Sequence, residues 1–322
     1  MVKDIQCIFC NRDSDQIVIE ENGYKGKKCP QCGLIFVSPR PAFAEILNLY
    51  THKLPQANGQ SYTLWSFTKR LCAKHSLRII KKFVKNGSML EIGAGMGYVL
   101  DEAKKEGFEV YGIELNNSEA DFIRSEFAIP CEESPLDVSL FDGKKFDIIY
   151  HCNIISHIYD PISEFQKIND KLVKKGIVVF ETGNLGDVKE KYYKFVTKFG
   201  YPGHLFFFSE NNLKELLERT GFEFVKIYRY SRLPELVIFK MLMFEKVINF
   251  VKSKWINRNI AKPSISGVTS SNMSISNIGR FIFKQLINAY GYSTYFFRYK
   301  IGYVMPKTGR IQTVIVVARR KN

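Results

Sequence analysis

From residue 86 onward, short apolar runs alternate with stretches whose apolar positions recur at three and four. The runs fall at 89–92, 109–114, 129–133, 145–151, 176–184, 222–230 and 311–318. Helical patterns lie between them, one over 98–107 and another opened by Ser209 as N-cap, with Asn212 three residues on, and closed at Thr220-Gly221. Strand and helix in alternation predict a parallel sheet covered on both faces. Ahead of this block the pattern predicts a hairpin around Asn22-Gly23, a helix ending near Tyr50, a polar loop over 51–64 and a helix over 64–84. Residues 233–307 interrupt the connection between the last two strands. There Met241, Phe244, Ile248, Val251 and Trp255 recur at three and four, one stripe of an amphipathic helix, followed by a Ser/Asn-rich linker over 264–277 and an aromatic run over 295–300. The chain therefore divides into 1–40, 41–86, 87–232, 233–307 and 308–322.

The first of these strands ends in Glu91 and meets three glycines at every second position, Gly93, Gly95 and Gly97, with Ala94 between the first two. Glycine sits where backbone takes positive φ or must approach a ligand closely, and the helix that follows offers unpaired N–H groups. A dinucleotide turn has the form G-x-G-x-x-G. Here the third glycine comes one place early, and Glu91 would repel a pyrophosphate. Seventeen residues past Gly97, the second strand ends in Glu114, a carboxylate able to accept both hydroxyls of a ribose. These features imply a nucleoside with a cationic, phosphate-free tail.

That combination closely resembles the class I S-adenosylmethionine-dependent methyltransferases, whose first motif is E-x-G-x-G-x-G with an acid closing the second strand. The resemblance implies an α/β, Rossmann-like seven-stranded sheet with its last strand antiparallel. It also implies that Glu91, Gly93, Ala94, Gly95 and Gly97 line the methionine half of the cofactor and Glu114 its ribose. The end of the third strand should face the adenine, although no Asp stands there. The stretch from Cys29 to Pro41 and the pattern H-L-x-x-F-S at 204–209 resemble a subgroup with an N-terminal zinc ribbon, found in surface-glycan and natural-product pathways.

Cys7-x-x-Cys10 and Cys29-x-x-Cys32 have the spacing that places four thiolates around a structural zinc, a closed site with no open position for substrate. With seven cysteines in all, this usage argues for a reducing compartment, and we place the protein in the cytoplasm. No signal-peptide pattern opens the sequence, and no apolar run approaches the ~18 residues of a membrane span.

The formal net charge of +15 favours anionic partners, and much of it falls in the 233–307 segment, where Lys240, Lys246, Lys252, Lys254 and Arg258 accompany the apolar stripe. A basic amphipathic helix fits peripheral contact with an anionic membrane face, and a lipid-linked acceptor would suit it. It also fits a helical cap with solvated lysines. Nucleic acid is disfavoured, since no recognisable RNA-binding module accompanies the charge.

Methyl transfer from a sulfonium is an in-line displacement, and a hydroxyl acceptor requires a base. His157, after the fourth strand, and His204, after the fifth, are the candidates; His151 is a candidate cofactor contact. The sequence thus predicts a methyltransferase acting on a sugar, glycan or related small molecule. Its alternatives are an RNA methyltransferase and a non-enzymatic cofactor-binding protein.

Overall fold

The computed structural model describes residues 2–51, 59–196, 198–232, 271–307 and 309–322, with the side chains of 59–65 and 271–283 excepted. The amphipathic stripe from Val237, the Ser/Asn-rich stretch up to residue 270 and most of the 51–64 loop lie outside these residues.

The chain opens with β1 (Val2–Lys3), β2 (Ile17–Glu21), β3 (Tyr24–Lys28), β4 (Ile35–Val37) and β5 (Arg40–Pro41), followed by α1 (Phe43–Thr51) and α2 (Gly59–Ile80). Asn22 and Gly23 both have positive φ, 53° and 79°, and join β2 to β3 in the tight turn their sequence implies. Next come β6 (Ser88–Ile92), α3 (Tyr98–Lys105), β7 (Glu109–Ile113), α4 (Asn117–Phe127), β8 (Cys131–Glu132), β9 (Phe146–Cys152), α5 (Pro161–Lys171) and β10 (Leu172–Gly183). The chain continues through β11 (Phe206–Phe207), α6 (Glu210–Arg219), β12 (Phe222–Ser231), α7 (Ser271–Phe296) and β13 (Gln312–Arg320). α2 begins at Gly59, five residues before the predicted start. Residues 271–277, expected in a linker, are the first two turns of α7.

Seven strands form one sheet in the order β12-β13-β10-β9-β6-β7-β8. β13 runs antiparallel between β10 and β12, whereas the pairs β10–β9, β9–β6, β6–β7 and β7–β8 are parallel. Neighbouring residues of a strand face opposite sides. Leu90, Ile149, Val178 and Val316 therefore point to the layer of α1, α5 and α6. Met89, Ile148, Val179 and Val317 point to the layer of α2, α3, α4 and α7.

A second sheet has the order β11-β4-β3-β2, and its edge strand comes from the loop after β10. The first 40 residues and the 87–232 segment thus share a sheet, and they share a core as well. Phe36, fully buried, lies in one cluster with Cys7, Phe9, Leu205, Phe206, Leu213 and Leu217. Polar contacts reinforce the join. The Asn212 side chain donates to the Cys32 carbonyl (3.0 Å), and Ser209 and Asn212 cap α6 reciprocally, as their sequence implies.

Truncating Phe36 should test the join. Phe36→Ala is expected to cost about 3–5 kcal/mol and to lower a single melting transition seen alike by near- and far-UV circular dichroism. Two separate transitions would show that the N-terminal sheet folds on its own.

Candidate functional site

Between β6 and α3 the chain reverses within five residues. Gly93, Gly95 and Gly97 have φ of +67°, +54° and +67°, where L side chains are strained. Two of them are also closed by packing: a Cβ on Gly93 would lie 2.4 Å from Ile154 Cδ1, and one on Gly97 2.7 Å from Ile123 Cγ1. Gly95 faces open space, with nothing within 4 Å of a Cβ built there. Its N–H donates to Glu114 Oε2 (2.7 Å), and the Asn116 N–H donates to Glu114 Oε1 (2.9 Å). Each carboxylate oxygen keeps a lone pair free for a sugar hydroxyl. Ala94 donates its N–H to the Ile113 carbonyl (3.1 Å), tying the turn to the end of β7.

Glu91 is buried beneath this turn, and its Oε2 has no hydrogen-bond partner among the described residues. Burial, and then the charge of Glu114, hold its carboxyl well above the usual carboxylate range. Burial also raises Glu114, against the opposing pull of its two N–H donors. A cationic ligand would favour the ionised form of both acids, which is the charge a sulfonium and an ammonium group bring.

The turn opens into a cavity of about 380 Å³ at the carboxyl ends of the parallel strands, where ligands of open α/β sheets bind. One wall is Gly93, Ile113, Glu114 and Leu115, with Ile154 beside them; the segment 134–136 closes the next. The Ser134 hydroxyl is buried there without a partner among the described residues, at the place where the sequence offers no Asp for the adenine. The opposite wall comes from α1, through Phe43, Ile46, Leu47 and Tyr50, and from α5, through Ser163, Glu164 and Lys167.

Of the three histidines singled out by sequence, His157 alone lines the cavity. Its Nδ1 lies 2.6 Å from the Tyr50 hydroxyl and 3.1 Å from the Gly203 carbonyl, and the Tyr50 hydroxyl lies 3.1 Å from the same carbonyl. One proton arrangement satisfies all three groups: Nδ1–H donates to Tyr50, Tyr50 O–H donates to Gly203, and the ring's lone pair resides on Nε2. Burial, and then His204, lower the His157 pKa to about 4, so the ring is neutral at physiological pH; burial raises Tyr50 to about 12. His204 stands behind His157, ring centroids 4.4 Å apart, and bonds through Nδ1 to the Phe199 carbonyl. It braces the site from outside the cavity.

His151 is not at the cavity. Its ring is 1% exposed, stacked on Phe180 at 5.0 Å and edge-on to Phe165 at 5.8 Å, and burial lowers its pKa to about 3. Residue 151 shares the parity of Ile149 and so points into the α5 layer.

Two contributors escaped sequence reasoning. Tyr50 was legible only as the end of a helix. The other is Arg40, whose guanidinium lies 3.8 Å from the Tyr159 ring centroid and donates to the Tyr159 carbonyl (3.0 Å), fixing a residue of the cavity wall. The N-terminal sheet also shapes the loop behind His157. At the hairpin tip the Glu21 carboxylate accepts N–H bonds from Phe199 (2.8 Å), Gly200 (2.6 Å) and Tyr201 (2.8 Å). Burial works the other way, but these bonds keep its carboxyl below the ordinary range.

The sulfur atoms of Cys7, Cys10, Cys29 and Cys32 all lie within 4.8 Å of one another and form no disulfide. A tetrahedron of thiolates around one zinc has edges of about 3.8 Å, so the four residues fit such an ion. Turns closed by Asn11 N–H to the Cys7 carbonyl and Gly33 N–H to the Cys29 carbonyl, both 2.9 Å, hold the two knuckles.

Sheet order, the lone antiparallel strand and the glycine turn with its two acids define the fold of the class I methyltransferases. A family model described as a methyltransferase domain matches residues 64–227, just over half of the sequence, and the chain belongs to that family. The chain is similar to a ubiquinone biosynthesis O-methyltransferase of Pelagibacter ubique (strain HTCC1062), 30% identical over 110 residues, which cover 32% of this chain and 45% of that protein. The match thus spans less than half the length of this curated relative. Among solved structures, phosphoethanolamine N-methyltransferase 2 of Haemonchus contortus with S-adenosyl-L-methionine aligns with a TM-score of 0.48 and 16% identity, covering 89% of this chain and 62% of that one. A SAM-dependent methyltransferase from Archaeoglobus fulgidus aligns with a TM-score of 0.46 and 20% identity, covering 78% and 93%.

Gly95→Arg would fill the one open glycine position with a bulky cation. Calorimetric titration with S-adenosylmethionine should then show affinity reduced about 100-fold or more, with far-UV circular dichroism unchanged. Unaltered affinity would place the cofactor elsewhere.

Proposed function

We propose that the protein transfers a methyl group from S-adenosylmethionine to a hydroxyl of a sugar, glycan-derived or related small molecule. The observation that carries this reading is a single cavity holding both the Gly93–Glu114 wall and His157 with its Tyr50 partner. Glu114 would hold the ribose, Glu91 the cationic end, and Ser134 the base edge. When bound, S-adenosylmethionine supplies an electrophilic methyl group. The protein's own part is to orient the acceptor and take its proton. With Nδ1 committed to Tyr50, proton transfer falls to Nε2 of a ring held neutral by burial. Resemblance of the 29–41 and 204–209 stretches to the surface-glycan subgroup supports the acceptor class, and the ubiquinone-pathway relative is itself named as an O-methyltransferase.

The four clustered thiols hold a structural zinc in this reading, with no position open to substrate. Its effect on the site is indirect, through the N-terminal strands β2 and β5 that carry Glu21 and Arg40. Thiols kept reduced at metal spacing support a cytoplasmic setting.

The base is tested by single-turnover assays with labelled cofactor and hydroxylated acceptors. His157→Gln should slow transfer by about 100-fold or more and Tyr50→Phe by about 10-fold, both with cofactor affinity unchanged. Full turnover by both variants would remove the pair from the chemistry. For the metal, the purified protein should release one equivalent of zinc when its thiols are blocked with a mercurial, with a lowered melting temperature. Absence of zinc in a metal-replete preparation would refute the assignment.

A further inference from the structure

Positive charge is unevenly placed along the chain. Residues 246–322 contain fourteen Lys and Arg and no Asp or Glu, so all but one of the fifteen net charges fall there. The described part of that stretch is α7, the π-helical segment Phe297–Ile301, the turn 302–304 and β13.

α7 has one committed face. Ile287, Gly291, Tyr295 and Tyr299 form its buried stripe. A Cβ on Gly291 would lie on Thr68 Oγ1 of α2 at 1.8 Å, the Arg78 guanidinium donates to the Tyr295 hydroxyl (3.2 Å), and Tyr299 stacks on His75 at 4.1 Å. Through the π-helical segment, Arg298 pairs with the buried Glu181 at the carboxyl end of β10, and the Tyr299 hydroxyl donates to the same carboxylate (2.9 Å). The helix is therefore fixed on the catalytic domain.

Its other face ought to be polar, and it is not. Leu286, Tyr292, Phe296, Phe297, Tyr303 and Val304 are between 38% and 75% exposed, with the exposed cation Lys300 among them. Monomeric proteins rarely show contiguous apolar surface of this kind. A second copy of the same face would bring like charges together. The arginine nearest the patch is turned inward to Glu181, and two of the exposed side chains are aliphatic, which serve neither phosphate forks nor base stacking. Aromatic and aliphatic side chains beside a lysine, in a stretch with no acids, match the boundary between lipid headgroups and acyl chains. No helix among the described residues is long and apolar enough to cross a membrane.

We propose that the outward face of residues 286–304 docks on an anionic phospholipid surface, with the aromatic rings at headgroup depth and Lys300 paired with lipid phosphate. This surface is independent of the cofactor site, and the two readings fail separately, since cofactor titration does not involve it.

The test is flotation of the full chain with vesicles of phosphatidylcholine alone or with about 30% phosphatidylglycerol. The protein should float with the anionic vesicles and not with the neutral ones, and binding should weaken steeply with salt. Tyr292→Ser/Phe296→Ser/Phe297→Ser should abolish flotation, and Lys300→Glu should weaken it about 10-fold, both retaining wild-type cofactor affinity. Three results would each overturn the proposal. One is no flotation with anionic vesicles, the outcome if another part of the chain covers this face. The second is wild-type flotation of the aromatic variant. The third is binding of single-stranded RNA that the aromatic substitutions weaken while flotation is unchanged.

Discussion

The hydrogen bond from the Gly95 N–H to the Glu114 carboxylate is the contact on which the glycine turn and the adjoining cavity wall depend. It requires the turn after β6 to present its amide sideways to the end of β7, which the left-handed φ at three alternate glycines achieves. Once made, it fixes the orientation of the Glu114 carboxyl group at the rim, although burial raises its pKa. Glu91 lies beneath without such support for its Oε2. One acid is thus oriented by backbone and the other is left wanting a cation, a division of roles that distinguishes this turn from those that grip phosphate.

The wall around His157 depends on the N-terminal segment in a comparable way. His157 takes its orientation from Tyr50, which sits on α1, and from the Gly203 carbonyl, on a loop whose start is clasped by Glu21. Arg40 holds Tyr159 in the wall between them. Tyr50, Glu21 and Arg40 all lie within the first fifty residues. The cysteine-bearing region is therefore part of the cavity's construction.

The parts legible from sequence are those whose signals are local. Alternating apolar runs located all seven strands of the large sheet, the glycine spacing marked the turn, Asn22-Gly23 marked the hairpin, and the paired knuckles anticipated four clustered sulfurs. What escaped depends on distant partners. Nothing near Phe206 announces that it will pair with Phe36, or that Tyr50 will meet a histidine 107 residues away. His151 was misplaced although its parity with Ile149 offered a signal. A strand residue goes where its odd or even neighbours go, whatever chemistry its side chain could perform. Residues 271–277 read as a linker by composition, yet they are helical. They open a helix whose later turns pack through Ile287, Gly291 and Tyr295, contacts that local composition does not announce.

The edge strand β11 has a consequence for how the molecule is made. It completes a sheet whose other members belong to the first 37 residues, but it is synthesised only after all five of the large sheet's parallel strands. During translation the cysteine-rich segment must therefore wait, its β4 edge unpaired, until about 170 further residues have left the ribosome. Early capture of a metal ion by the two knuckles would protect the nascent segment through that interval, and the molecule can reach its final form only after its middle has emerged.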